Sequence, residues 1–247
     1  AFTDVSNPFR MMRTIKQPEE IARLKKASEL TDLSIAAVAE GLKVGMREDE
    51  IPYLIEPAYL KEGGYAGIHF MTSMSMTEPD FPVPAQFHSS RILQQGDCLI
   101  TEISGAYWGY SGQIHRTFSL GEPTQAWQDL HAAAVEGYLA IENALKDGAT
   151  TSDIENAAEI IHERGYSIYD DLLHGVNQSP PIIQTRTTKR HESPEITFRE
   201  NMAITIEPNV ITLDEKMGLQ FGETVVVTKT GCERLNAYPR EWIVRGG

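Results

Sequence analysis

The chain repeats itself. Leu42-Lys43-Val44-Gly45, with Ile51 six residues after the glycine, returns as Leu145-Lys146-Asp147-Gly148, with Ile154 six residues after its glycine. Each segment runs into a helical pattern that ends at a Gly-Tyr pair, Gly64-Tyr65 in the first and Gly165-Tyr166 in the second. Two related halves, each a helix pair followed by antiparallel strands, constrain the fold more than any single motif does. Halves that face each other leave a pocket between their sheets, where ligands commonly bind. The polar residues on the later strands of both halves are therefore the candidates for chemistry.

The local patterns agree with this division. Ile21, Leu24, Ala27, Leu30 and Leu33 recur at three- and four-residue steps between Pro18 and Gly41, which predicts an amphipathic helix. A second helix is expected over Asp49 to Glu62, and further helices over Thr124 to Leu145 and Ser152 to Arg164. Strand patterns cover Ile68 to Ser73, Cys98 to Trp108 and Tyr110 to Leu120, the last two forming a hairpin around Gly109. Ala203 to Thr212 and Gly218 to Thr228 read as two late strands. The class is α/β (α+β), one domain over residues 1–247. The opening AFTDVSNPFR has no methionine and leads almost at once into a helix, which suggests a missing upstream domain.

Composition removes several function classes. With 22 Lys plus Arg against 35 Asp plus Glu, the net charge of -13 repels phosphate backbones, so no nucleic-acid partner is expected. No apolar run reaches the roughly 20 residues a membrane helix needs, and no signal-peptide pattern opens the chain. Cys98 and Cys232 lie in apolar strand contexts and read as buried thiols, in keeping with a reducing cytoplasm.

The polar candidates are few. The first hairpin carries Glu102, Gln113 and His115; the second half carries His174, Asn177 and Gln178 in HGVNQ, Glu207 in ITIEPNV and Gln220 in GLQFGETVVVT. Period-2 alternation puts Gln113 and His115 on one face of their strand. Polar groups on an inner face are costly unless they are satisfied or used.

The order of RTIKQPEEI, GDCLITE at 96–102, IHRTFSLGEP, HGVNQ, NMAITIEPNV and GLQFGETVVVTKTGCERL resembles the pita-bread superfamily of creatinase, aminopeptidase P, prolidase and methionine aminopeptidase. The resemblance spans essentially the whole chain. It implies a pseudo-two-fold fold of curved antiparallel sheets covered by helices, and a homodimer. Peptidases of this superfamily hold two divalent metals with Asp, Asp, His, Glu and Glu. By resemblance those positions fall on Glu102, Gln113, Gln178, Glu207 and Gly222, so only Glu207 is the expected residue. Hard divalent cations want anionic oxygen, and transition metals favour imidazole as well. The expectation is a lost metal centre, with no metal and no cofactor.

Creatinase works without metal through a histidine and two glutamates. Its hairpin glutamate corresponds to His115, its late one to Glu207, and its histidine to the region of His88 in PAQFHSSRIL. The resemblance thus implies His115 as base or proton shuttle, with Glu102 and Glu207 as orienting or binding carboxylates and His88 beside them. His174 would line the pocket, and Gln113, Asn177, Gln178 and Gln220 would bind substrate. The resulting expectation is a metal-independent hydrolase of a C–N bond in a small amide, amidine, guanidino or cyclic amide compound. Two alternatives stay open: an Xaa-Pro aminopeptidase- or dipeptidase-like metallopeptidase whose degenerate site keeps one metal, and a non-catalytic relative that binds a ligand or short peptide. His131 and His162 are expected on solvated helix surfaces, and His191 in a loop.

Overall fold

The computed structural model describes residues 3–177, 179–184 and 195–246. Five α-helices are present among them: α1 (Ser6–Met12), α2 (Pro18–Gly41), α3 (Pro52–Leu60), α4 (Gln125–Ala144) and α5 (Thr151–Glu163). The expected second helix is shorter than its pattern, because Glu48–Glu50 forms a single 3-10 turn and Pro52 then opens α3. Proline suits that first position, where its missing N–H has no helical partner.

The first half supplies β1 (Tyr65–Ser75), β2 (Asp97–Tyr107) and β3 (Tyr110–Leu120). A two-residue turn, Trp108-Gly109, joins β2 to β3, and both residues are left-handed, at φ 48° and 84°. That matches the twist of the flanking strands. The second half supplies β4 (Ser167–Ile168), β5 (Asp171–Gly175), β6 (Ser179–Gln184), β7 (Ala203–Ile206), β8 (Asn209–Ile211), β9 (Gly218–Gln220) and β10 (Gly222–Val227). Short strands β11 (Cys232–Arg234) and β12 (Ile243–Arg245) complete the chain. The main sheet runs β1-β2-β3-β10-β7-β5-β6, with β11 on β10 and β12 on β3; β4, β8 and β9 form a second sheet.

Each expected late strand is divided in two. Pro208, which cannot donate to a ladder, separates β7 from β8, and Phe221 separates β9 from β10. The pairing still keeps one register: Ile206 faces Glu223 and Asn209 faces Gln220, three residues further along on both strands. The halves meet where β3 pairs with β10, His115 opposite Gly222 and Ile114 opposite Glu223. Helices α2 and α3 cover the first half over a core containing Leu30, Ile55, Tyr59, Ile103, Ile114 and Phe118. Helices α4 and α5 cover the second over Trp127, Tyr138, Ile161, Ile206 and Phe221. His131 belongs to that packing. Its ring stands edge-on to Phe221 and Trp242, and burial pushes its pKa down to about 4, so it is not the solvated surface residue the sequence suggested.

A buried ion cluster ties the seam together on the face away from the pocket. Glu223 is fully buried and receives Arg116 from β3, Arg234 at 2.5 and 2.7 Å, and Arg240 at 3.2 Å. Arg116 also donates to the carbonyls of His115 and Pro239 at 2.9 Å, so it fixes the backbone at the residue facing the pocket. Removing one partner of such a cluster leaves uncompensated buried charge. Glu223→Ala is expected to lower unfolding stability by about 3–5 kcal/mol; a loss under about 1 kcal/mol in urea unfolding would contradict this role.

Candidate active site

Alternation along β2, β3, β7 and β10 points one polar set into the same space. Glu102 pairs with His115 across the hairpin, and Phe70 of β1 lies on the other side of Glu102. His115 pairs with Gly222, and His174 of β5 pairs with Thr205 of β7. One row of this face thus reads Phe70, Glu102, His115 and Gly222, with Glu207 at the end of β7 beside them. A second row adds Gln113, Thr224, Thr205 and His174.

Glu207 is the centre of the cluster. Its Oε2 lies 3.0 Å from His115 Nε2 and its Oε1 lies 3.2 Å from His174 Nε2, so the two histidines hold separate oxygens. His174 Nδ1 is fixed by the carbonyl of Gly175 at 2.7 Å. Gln113 bridges the carboxylates, donating from Nε2 to Glu102 Oε1 at 2.8 Å and Glu207 Oε2 at 2.9 Å. Its amide must point this way round, because two carboxylates only accept. Thr224 Oγ1 accepts from the Gln113 backbone N–H at 3.0 Å and locks that position.

The charges balance internally. Burial opposes protonation of His115, but Glu102 and Glu207 outweigh it and raise its pKa to about 9. His174 is raised to about 9 in the same way, burial being overcome by Glu207. Burial also works against the Glu207 anion, and the two imidazoles overcome this and hold its carboxyl well below the usual range. Both imidazoles are thus held toward the imidazolium form by the carboxyl groups they face.

The sequence-predicted residues divide clearly. Glu102, Gln113, His115, His174 and Glu207 come together. Gln220 is buried on the same face without a hydrogen bond to any of them. His88 does not join: its Nε2 lies 2.9 Å from the carbonyl of His69, on the loop after β1. Asn177 is exposed, in a left-handed conformation, and binds Ser111 and the Gly109 carbonyl at the hairpin tip. It braces the two halves instead of entering the cluster. Gln178 and His191 lie outside the described residues. Phe70, Thr205 and Thr224 were missed, although strand alternation from Glu102 and Glu207 was the signal that could have found them.

The chain matches the family described as Metallopeptidase family M24 over residues 22–229, and it belongs to that family. It is 26% identical over 241 residues to the Xaa-Pro dipeptidase of Pyrococcus furiosus, an alignment covering 97% of this chain and 68% of that protein. Its fold is similar to the X-Pro aminopeptidase from Thermotoga maritima, with a TM-score of 0.84 at 26% identity, covering 99% of this chain and 68% of that one. Methionine aminopeptidase from Rickettsia prowazekii shares the fold at a TM-score of 0.77 and 16% identity, covering 90% of this chain and 98% of that one. These matches carry the pita-bread architecture of curved antiparallel sheets and covering helices.

A pair of divalent ions does not fit this donor set. Among the described residues, Glu102, His115 and Glu207 offer donor atoms within 4.8 Å of one another. The Gln113 amide nitrogen already stands among them, 2.8, 3.3 and 2.9 Å from the three in turn, donating where a cation would accept electron pairs. Gly222 contributes nothing, and no side chain can be added there without moving its neighbours. A Cβ at Gly222 would lie 2.4 Å from the Ile206 carbonyl and 2.5 Å from His115 Nδ1. His115 thus fills the space that a side chain at 222 would need. Gly222→Ala is expected to displace the His115 ring and cost about 1–3 kcal/mol. Thermal unfolding and the imidazole NMR signals would check this, and a variant unchanged in both would disprove the steric coupling.

Proposed function

We propose that the chain hydrolyses an amide bond in a short, peptide-like substrate at the Glu102–Gln113–His115–His174–Glu207 cluster. The observation that carries this reading is Glu207, gripped by two imidazolium rings and joined to Glu102 through one amide. The names of the relatives support a dipeptide-sized substrate over the guanidino, amidine or cyclic amide compound expected from the creatinase resemblance.

In this reading the acid–base work falls to Glu102, not His115. His115 is completely buried and its Nε2 is committed to Glu207, whereas Glu102 Oε2 stands 3.7 Å from that ring and makes no hydrogen bond among the described residues. Water gives a proton to Glu102 as its oxygen bonds to the amide carbon. The C–N bond then breaks, and Glu102 passes the proton to the leaving nitrogen, so atoms and charge balance. The two imidazole rings and the Gln113 N–H groups are committed to Glu207 and Glu102, so they compensate the buried carboxylates and limit the repulsion felt by the oxyanion that forms beside them.

One specific observation favours a second reading. The donor atoms of Glu102, His115 and Glu207 are close enough to hold one divalent ion if the Gln113 amide swings aside. Hydrolysis of Xaa-Pro dipeptides with and without chelator separates the two. Activity that survives chelator, in protein with less than about a tenth of an equivalent of bound metal, supports the residue-borne reaction. Activity lost to chelator and restored by one equivalent of manganese, cobalt or zinc supports the single-ion reading and sinks the first.

The pH dependence has a definite sign. Both histidines have raised pKa values, so their contribution to stability is complete below about 6.5 and is lost as pH rises through about 9. kcat/KM is expected to fall through the same window, as the charge that compensates the buried carboxylates disappears. Glu207→Gln removes the shared counter-charge and should bring both imidazole titrations, followed by NMR, back toward the ordinary histidine range. Titrations that stay near 9 in that variant would contradict the assigned cause.

A further inference from the structure

Four buried polar atoms without a hydrogen-bond partner among the described residues, His115 Nδ1, Thr117 Oγ1, Asn209 Oδ1 and Gln220 Oε1, belong to strands that meet at the seam. Buried polar atoms are nearly always paired, so a group of orphans in one place needs an explanation. Their place follows from register. Thr117 is two residues beyond His115 on β3, Asn209 two beyond Glu207, and Gln220 two before Gly222. Strand alternation therefore puts all three on the face that carries the cluster. Between them, Val210, Leu219 and Phe221 turn the opposite way into the core under α4. Strands β2 and β3 both pack against β9, which brings Thr117 toward Gln220.

This third row lies about 6–7 Å from the Glu102–Glu207 row, two strand residues away, a gap that one residue of extended substrate, about 3.3 Å, and the hydrogen bond of about 2.9 Å made by the amide after it span together. Its chemistry is neutral. Two amide oxygens accept hydrogen bonds, and a hydroxyl can donate one. A carboxamide matches that set: its N–H groups reach Asn209 and Gln220, and its carbonyl accepts from Thr117. A carboxylate matches poorly, since it would add acceptors to acceptors beside the anions of Glu102 and Glu207.

We propose that Thr117, Asn209 and Gln220 form a subsite for an amide group of the substrate. The chain then prefers substrates that continue into an amide one residue beyond the scissile bond over those that end there in a free carboxylate. This rests on the hydrolase reading above.

The test compares kcat/KM for Ala-Pro, its C-terminal amide Ala-Pro-NH2 and the tripeptide Ala-Pro-Ala, using the full chain. The amide is expected to exceed Ala-Pro by tenfold or more. Equal rates for Ala-Pro-Ala and Ala-Pro-NH2 assign the subsite to a peptide amide, and a slower tripeptide assigns it to a primary carboxamide. Thr117→Val, Asn209→Leu and Gln220→Met, each checked by thermal unfolding, should each lower the amide-to-acid ratio about fivefold to tenfold, the worth of one hydrogen bond. Ala-Pro cleaved as well as or better than its amide overturns the subsite while leaving the hydrolase reading intact. If none of the three is cleaved, calorimetric binding of the same peptides decides. Tighter binding of the amide, weakened by the variants, keeps the subsite and ends the hydrolase reading; equal or absent binding overturns the subsite.

Discussion

A carboxylate buried at Glu207 sets the conditions for everything around it. An ionised carboxyl out of contact with water is stable only when opposite charge and hydrogen bonds replace its hydration. Here the replacement comes from both halves of the chain. His115 and Gln113 arrive on β3 and His174 on β5, so the carboxylate is satisfied only when the halves are docked in register. The seam strands β3 and β10 carry a second compensated carboxylate, Glu223, on the opposite face. One buried anion organises the pocket, and the other holds the wall from behind.

This arrangement explains how a member of a metallopeptidase family can hold its inner face together with so few anions. A divalent ion between carboxylates neutralises them and orients them. In this chain the Gln113 amide does the orienting, with one N–H to each carboxylate, and the two imidazolium rings do the neutralising. The substitutions are coupled physically. A carboxylate at 113 would leave three anions against two cations, and a side chain at 222 would collide with the ring that supplies one of those cations. Each change makes sense only with the others.

Much of the architecture was legible in the sequence, because it rests on local rules. The repeated Leu-Lys-x-Gly segments marked the halves, helix periodicity marked α2, α4 and α5, and alternation around Gly109 marked the β2–β3 hairpin. The five residues that converge were also named from sequence, since strand alternation and the superfamily resemblance selected them together. What escaped was anything fixed by distant pairing. That His115 occupies the space over Gly222 depends on a contact between strands over a hundred residues apart. His88 stands near the first hairpin in sequence, yet a carbonyl of β1 captures it. Asn209 and Thr117 look like ordinary strand residues until the register beyond Pro208 puts them beside Gln220.

The division of labour between the two faces of the seam also says how chemistry can change here without loss of the fold. Residues of β3 and β10 that point outward, Arg116 and Glu223, are themselves fully buried and locked in an ion cluster with the partly exposed Arg234 and Arg240, where loss of one partner leaves uncompensated charge. Their immediate neighbours, His115 and Gly222, lie on the inward face and meet that cluster only through their backbone carbonyls, which accept from Arg116. Because alternation separates the two sets by a single residue, the inner row can exchange acids for an amide, an imidazole and a glycine while the outer row keeps the strands paired. Internal charge compensation is the constraint on such exchange, since every buried anion that remains must still find its partners. Glu207 keeps three, and that is enough to leave the site charged, ordered and positioned at the meeting of the two halves.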